Sequence, residues 1–483
     1  MNYRGILFLL GRLLLALALT LLIPAAVGYF GDGTQFKAFL VTAAVVGFSG
    51  GLLARLFRQP KDSVLGRREE FLLVTSAWIL ASVVGALPYI LIKGPGFTVD
   101  ALFESASGFT TTGASILVDI EAEPASLLLW RSLSQWLGGM AILVIGIAIL
   151  PKLAVGGRQL FGAEVPGQLT EKLTPRIAQT AKALWGIYVL LTALEAGALM
   201  FVGMSAFDAV NHAMTTIATA GFSTLQGNVG AFGNPAIELV ILLFMIAAGV
   251  NFALHFNLLR GKPLRLFRDA ELRVYLGLVA AATLLLGGDL LVSGHATDVV
   301  SAARLGGFQA AAIISTTGYS TADFDAWPVF SRALLFTLMF VGGCAGSTSG
   351  SVKVVRILIV CKKLMIDVRR LVQPNAVLPV RVGRRAIPEE VVTSVTTFFL
   401  LFLALFAVGG VTLAAFGLDL VSAFTASAAC LGNIGPGFGL VGPAQGYALV
   451  PAPAKLILVG LMIVGRLELY AVLVTLYLGR RVY

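Results

Sequence analysis

Four short stretches of this chain have the residue types to hold a cation stripped of water. They run Gly108-Phe-Thr-Thr-Thr-Gly113, Thr216-Ile-Ala-Thr-Ala-Gly221, Ile314-Ser-Thr-Thr-Gly318 and Cys430-Leu-Gly-Asn-Ile-Gly435. Their last glycines lie 221 − 113 = 108, 318 − 221 = 97 and 435 − 318 = 117 residues apart. A dehydrated cation needs oxygen dipoles in place of its hydration shell, and inward-pointing backbone carbonyls can supply them. Glycine permits the backbone dihedrals this demands and puts no side chain on the axis. A helix ending just before each glycine turns its negative end toward the ion. Thr and Ser hydroxyls add further oxygens or brace the loop. Any one of these loops alone reads as an ordinary helix C-cap. Four of them, one per repeat, read as a single site. Its expected residues are Thr111, Thr112, Gly113, Thr219, Ala220, Gly221, Thr316, Thr317, Gly318, Asn433, Ile434 and Gly435. The fourth loop has Asn433-Ile434 where the first and third have Thr-Thr, so the site is expected to be asymmetric.

A second feature is the run 342–351, composed only of Gly, Ser, Thr, Ala and Cys. Such a run weakens a helix, and broken helix at membrane depth survives only buried in protein or lining water. It is either a close-packing surface or a loop across the conduction path. Arg466 falls near the middle of a long apolar segment, where a charge faces a polar interior. It either pairs with a carboxylate or backbone carbonyls, or stands as a positive barrier to cations. Glu468, two residues on, is expected on another helix face, and Lys353 and Arg356 as anchors at the cytoplasmic membrane edge. Glu104, nine residues before Gly113, is expected to brace the first loop by hydrogen bonds. Glu195, Glu238, His212 and His255 are expected as hydrogen-bonded core groups. Cys344, Cys361 and Cys430 show no metal or redox spacing and are expected as reduced packing residues. No grouping of His, Cys or carboxylates suits hydrolysis or nucleophilic attack, so an enzyme is not expected.

The elements that would position these residues are membrane helices. Of 483 residues, 58% are hydrophobic and 12% charged, about half the charged share of a soluble domain. Apolar runs such as 72–92 and 398–416 match the thickness of a bilayer. Ten spans are expected, at 6–30, 37–57, 70–93, 126–150, 181–204, 235–260, 272–292, 329–361, 390–416 and 453–478. Shorter apolar segments near 100–112, 207–220, 300–317 and 420–432 suit re-entrant pore helices. The leucine-rich start could be a signal peptide; a retained helical hairpin fits its length better. Basic residues cluster between alternate spans: Arg55, Arg58, Lys61, Arg67 and Arg68; Lys152, Arg158, Lys172, Arg176 and Lys182; Arg260 to Arg273; Lys362 to Arg385; Arg480 and Arg481. The net charge of +10 therefore reflects cytoplasmic loops rather than nucleic-acid binding. Both termini are expected in the cytoplasm, with the pore segments on the outer side. The organisation reads as an N-terminal hairpin, 1–59, and four span–pore helix–span repeats in pseudo-fourfold arrangement, at 60–170, 171–268, 269–380 and 381–483.

Together these motifs resemble the Trk/Ktr/HKT superfamily of potassium transporters, and within it the TrkH-type subunits. The resemblance rests on the four one-glycine loops, on 342–356, on Gly249-Val-Asn-Phe-Ala-Leu-His-Phe256, on Gly465-Arg-Leu-Glu-Leu469 and on the two extra N-terminal spans. It covers nearly the whole chain. It implies potassium as the ion held at the four loops and uptake across a bacterial inner membrane through a gated, channel-like pore. A proton- or sodium-coupled symporter on the same scaffold is the alternative. It implies a gate formed by Gly343, Cys344, Ala345, Gly346, Ser347, Thr348, Ser349 and Gly350 with Arg466. It also implies a homodimer with one pore per chain, and a cytosolic TrkA-like subunit that carries the nucleotide. No organic cofactor is expected in this chain. The run Ser349-Gly-Ser-Val is poorer in glycine than is common in that family.

Overall fold

The computed structural model describes residues 1–31, 35–58, 65–148, 173–376, 378–383 and 385–478. Of the expected loop charges, Lys61, Lys152, Arg158, Lys172, Arg384, Arg480 and Arg481 lie outside the described residues, as does Asp32. The described chain is mostly helical, because a backbone in hydrocarbon must satisfy its own hydrogen bonds. The only strands among the described residues form a short hairpin, Arg381–Val382 against Arg385–Ala386, antiparallel with Arg381 opposite Ala386.

Helices stand at all ten expected positions, but they are not ten simple spans. Among the described residues six are long and apolar enough to cross a membrane: Tyr3–Phe30, Phe36–Leu56, Arg68–Lys93, Gln179–Phe201, Ala270–Val292 and Glu389–Ala415. A seventh is the pair Pro235–Ala248 and Phe252–Leu259, bent by 100° at the break between them. The eighth position divides into Val329–Leu338 and Val354–Val372, and the tenth into Ala452–Arg466 and Tyr470–Leu478. The fourth, Ala125–Ala148, is continuous.

The N-terminal hairpin is joined where glycines let the two backbones touch. A methyl group on Gly11 would stand 2.7 Å from the Ala54 nitrogen, and one on Gly50 2.8 Å from the Gly11 oxygen. Such close approach of small residues holds helices together where lipid removes any hydrophobic drive. Leu14, Leu17, Leu21 and Phe39 of this hairpin pack with Tyr89, Leu127 and Trp130 of the third and fourth spans.

The four expected pore helices are present as Thr98–Phe109, Ala206–Ile217, Val299–Ile314 and Leu420–Leu431. They occupy the centre of the molecule and bury polar residues there, among them Ser105, Ser107, Thr215, Gln309, Ser422 and Ser427. Large apolar side chains such as Leu19, Phe48, Leu284 and Val411 face outward. This inside-out distribution suits a chain solvated by lipid around a polar centre.

Cys344 and Cys430 are buried thiols, as expected; Cys361 is exposed, because the helix that carries it turns that face outward. His212 is buried, with Nδ1 2.8 Å from the Asp208 carbonyl and Nε2 3.1 Å from Ser223 Oγ. His255 Nε2 is 2.9 Å from the Ala247 carbonyl. Glu238 pairs with Arg304 at 3.6 Å. Glu195 is fully buried; the Thr216 hydroxyl is its polar neighbour, though it does not meet either carboxyl oxygen in ordinary hydrogen-bond geometry.

Candidate ion-conduction site

The four pore helices end in one repeated backbone pattern. Thr111, Thr219, Thr316 and Asn433 have φ of 53°, 51°, 60° and 52°. The next residue in each loop returns its N–H to a helix carbonyl five residues back. These bonds run from Thr112 to Ser107, Ala220 to Thr215, Thr317 to Ala312 and Ile434 to Ala429, each 2.9 Å long. This is a left-handed helix cap in which Thr or Asn takes the position glycine usually holds. The left-handed conformation costs a residue with a Cβ roughly 1–2 kcal/mol, and the packed surroundings sustain it at all four places. The helix cap and the ion loop therefore coexist: the cap residue stands two positions before the glycine. Gly113, Gly221, Gly318 and Gly435 follow at φ of 79°, 76°, 76° and 107°.

These glycines close a ring. A methyl group on Gly113 would collide with the carbonyl oxygen of Ala220, one on Gly221 with that of Thr317, and one on Gly318 with that of Ile434. On Gly435 it would lie 2.9 Å from the carbonyl oxygen of Thr112. Each loop thus backs onto the next in the order first, second, third, fourth and back to first. All twelve expected loop residues fall in this ring, and the carbonyls preceding the glycines are in contact with the neighbouring loop.

The ring is braced from outside by polar residues. Glu104 accepts from Ser115 Oγ, from the Ile116 N–H and from Arg131 Nε, each at 2.9 Å. Arg131 also donates to the Ser223 carbonyl at 3.0 Å, and its guanidinium lies 4.2 Å from the Phe222 ring centre. This buried pair joins the first loop to the second. The expected bracing role of Glu104 is thus seen in its contacts. Arg131 was not anticipated; its signal in the sequence is a lone arginine early in the fourth span. Gln135 donates to the Ala220 carbonyl at 2.9 Å and accepts from the Phe222 N–H at 3.1 Å. Tyr447 donates to the Gly435 carbonyl at 2.8 Å, and the Tyr319 hydroxyl bonds Thr215. These anchors share no spacing in the sequence, so only the folded chain reveals them.

The first and third loops also match in their side chains. Thr110 and Thr112 share a 2.8 Å hydroxyl contact, and Ser315 and Thr317 a 2.7 Å one. The fourth loop differs, as expected: Asn433 donates to Thr112 Oγ1 and to the Met462 carbonyl, both at 3.0 Å. Thr111 Oγ1 and Asn433 Oδ1 are buried without a partner among the described residues. Buried oxygens left unpaired in this way suit a cation.

The run 342–351 forms an irregular loop lying against the inner ends of the pore helices. Gly350 donates its N–H to Thr316 Oγ1 at 2.8 Å, and Thr348 Oγ1 donates to the Ile217 carbonyl at 3.0 Å. The loop is stapled to the elbow of the bent pair by Cys344 N–H to the Gly249 carbonyl, 2.8 Å, and Phe252 N–H to the Gly346 carbonyl, 3.0 Å. The segment around Gly249 is thus the loop's outer support. Arg466 reaches the same loop, donating from Nη1 to the Thr348 carbonyl at 2.8 Å. Its Nε and Nη2 have no partner among the described residues. Of the two pairings expected for Arg466, the backbone carbonyl is present, and no carboxylate ion pair joins it among the described residues.

Two expectations about the neighbouring charges are corrected. Glu468 does not continue the helix of Arg466. The helix ends at Arg466, and Glu468 and Leu469 adopt φ of 52° and 58°. Lys353 and Arg356 are not anchors at the membrane edge. Both turn inward to Glu468, Lys353 Nζ at 2.9 Å, and so give this buried carboxylate two cationic partners. No group of three His, Cys, Asp or Glu suited to a metal occurs among the described residues.

The sequence profile of the TrkH family, described as cation transport protein, matches residues 36–478. The chain is 42% identical to the Trk system potassium uptake protein TrkH of Salmonella typhimurium, across 98% of each chain. It is 33% identical to the Trk system potassium uptake protein TrkG of Escherichia coli, across 98% of this chain and 97% of TrkG. The crystal structure of the potassium transporter TrkH from Vibrio parahaemolyticus superposes with a TM-score of 0.90 at 37% identity, over 99% of both chains. With its apolar helices and its ring of four loops, the chain is a multi-pass membrane protein that belongs to the TrkH family of cation transport proteins.

Proposed function

We propose that this chain takes up potassium through a gated, channel-like pore, with the four-loop ring as its ion filter. The observation that carries this is the ring closure of Gly113, Gly221, Gly318 and Gly435, each backed by a carbonyl of the next loop. Relatives named for potassium uptake, such as the Salmonella TrkH, support potassium as the ion. Thr111, Thr112, Thr219, Ala220, Thr316, Thr317, Asn433 and Ile434 form the rest of the filter. The pore helices aim their negative ends at it, which favours a cation without protein movement. Gly343, Cys344, Ala345, Gly346, Ser347, Thr348, Ser349 and Gly350 form the gate. Arg466 supplies a positive charge beside it.

The chain is read as an inner-membrane protein with cytoplasmic termini, four pore repeats from residue 60 onward, and a homodimeric assembly. The word "system" in the relatives' names supports further subunits. The one proposed here is a cytosolic, TrkA-like subunit that binds nucleotide. A coupled symporter is the second reading, favoured by one observation: the fully buried carboxyl of Glu195, which has no cationic partner among the described residues. Current through the reconstituted protein separates the two. The channel gives a reversal potential set by potassium alone, whereas a shift with the proton or sodium gradient replaces it with the symporter. No potassium flux, with or without the regulatory subunit, sinks both.

A further inference from the structure

The four corners of the ring are not closed alike. At Gly113, Gly221 and Gly318 a methyl group would collide with a carbonyl of the next loop, whereas at Gly435 it would stand 2.9 Å from the Thr112 carbonyl. The backbone fit is therefore loosest where the fourth loop meets the first. A pair of side chains crosses this corner: Asn433 Nδ2 donates to Thr112 Oγ1 at 3.0 Å. Elsewhere in the ring the threonine hydroxyls stay within their own loop or turn to the gate loop. Thr219 Oγ1 donates to the Ala218 carbonyl, Thr317 meets Ser315, and Thr316 accepts from Gly350. Past the glycines, Tyr447 closes the loose corner. Its N–H donates to the Ser115 carbonyl and its hydroxyl to that of Gly435, both at 2.8 Å. Before the glycines, Asn433 closes it.

Asn433 does more than cap its helix. It is the left-handed residue of the fourth loop, at φ 52°, where the other three loops have Thr. The cap itself needs only the backbone bond from Ile434 to Ala429. The amide adds two N–H donors, where a threonine hydroxyl has one O–H. Besides Thr112, Nδ2 reaches the Met462 carbonyl at 3.0 Å, near the end of the helix that finishes at Arg466.

The amide oxygen lies against two backbones. A methyl group on Gly350 or on Gly465 would stand 3.2 Å from Oδ1, so glycine at both places leaves the amide its room. Gly350 belongs to the gate loop and donates to Thr316 of the third loop. Gly465 precedes Arg466, which donates to Thr348 of the gate loop. One side chain thus stands where the first loop, the gate loop and the tenth segment meet. A corner of an oxygen cage that is free to shift inward can follow a smaller ion; a clamped corner keeps the cage at one size.

We propose that Asn433 is a specificity-determining positioning residue. Its amide clamps the loose corner of the filter to the tenth segment and the gate loop, so that discrimination between potassium and sodium is full with the gate loop seated and falls when the loop is displaced. The proposal rests on the reading of the ring as a filter and of 343–350 as a gate. The test measures reversal potentials of the full chain in planar bilayers, with potassium on one side and sodium on the other. N433T gives the fourth loop the residue of the other three and removes both amide bonds. Its potassium-over-sodium permeability ratio falls about tenfold, as the loss of two buried hydrogen bonds allows. T112V removes only the acceptor and lowers the ratio too, whereas T112S keeps the acceptor and the ratio. N433T/T112V loses no more than N433T. If N433T fails to insert, T112V against T112S decides on the same ratio. An unchanged ratio in N433T overturns the proposal. A loss in N433T with none in T112V assigns the Asn433 oxygen to the ion itself and overturns the clamp. Additive losses in the double variant do the same. Shortening the gate loop within 345–349 lowers the ratio in the unmodified chain and lowers it no further in N433T; a further loss there overturns the link to the gate. Two outcomes fall on the underlying readings instead. An unmodified chain without potassium preference overturns the filter reading, and a shortened loop that leaves flux unchanged overturns the gate reading.

Discussion

Arg466 donates from Nη1 to the carbonyl oxygen of Thr348 at 2.8 Å, joining the tenth segment to the loop that interrupts the eighth. Two of its nitrogens remain unpartnered among the described residues, so its charge is not cancelled by any described ion pair. Arg466→Ala removes both the tether and the positive charge. Potassium flux in liposomes without any regulatory subunit should rise, by about tenfold for each 1.4 kcal/mol taken from the barrier. Arg466→Lys keeps the charge and should leave flux low. Unaltered flux in a well-folded Ala variant would restrict Arg466 to holding the loop.

The gate loop itself should respond to shortening. Removing residues within 345–351 frees Thr316 from Gly350 and the Ile217 carbonyl from Thr348. Basal flux should increase. A loop that serves only for packing would leave flux unchanged while lowering thermal stability.

The filter glycines should differ in tolerance. Gly113→Ala, Gly221→Ala and Gly318→Ala each drive a methyl into a backbone carbonyl of the next loop, which has no room to retreat. Gly435→Ala meets the Thr112 carbonyl at 2.9 Å, the least severe of the four. Conduction or potassium-over-sodium selectivity should fail in the first three and be partly kept in the fourth. Equal discrimination in all four variants would refute the ring as the selective element.

Glu104 and Arg131 form a buried pair that links two loops. Removing one partner strands a charge and should cost roughly 3–5 kcal/mol. Glu104→Met and Arg131→Met should each lower the detergent melting temperature and the flux. The double substitution Glu104→Met/Arg131→Met should be less harmful than the sum of the two singles, because no charge is stranded. Additive losses in a double-mutant cycle would show that the pair is not coupled.

Asp298 and Asp419 begin the third and fourth pore helices, outside the spans. Hydrogen bonds from Ser301 to Asp298 and from Ser422 to Asp419 hold both carboxyl groups below the usual range. A lowered folded-state pKa stabilises above the unfolded value of about 3.9 and is lost as pH falls through the folded one. Melting temperature should therefore drop on acidification below about pH 4. The drop should be smaller in Asp298→Asn/Asp419→Asn, and an identical acid-side slope would remove the caps from the account. Since both groups are exposed, the difference should be modest.

The sequence alone determined the class, the repeat and the loops. Apolar runs of bilayer length, alternating clusters of basic residues and four evenly spaced glycines are local or periodic signals, and each survives without knowledge of contacts. They were enough to place the pore helices and the four glycine loops that follow them. The family resemblance added the expectation of a gate at 343–350 and of potassium as the ion. Tertiary structure decided what the charges do. Arg131, Gln135, Tyr319 and Tyr447 meet the loops across 12 to 104 residues of chain, a distance that leaves no spacing to read. Lys353, Arg356 and Glu468 illustrate the same limit. At the level of sequence they are two cations near a membrane edge and an acid on a helix. They meet because the eighth and tenth segments both break, and the break of the tenth depends on residues at positive φ that side-chain composition does not announce. Hydropathy records the transfer cost of each residue into the bilayer; it does not record which residues a broken helix brings together.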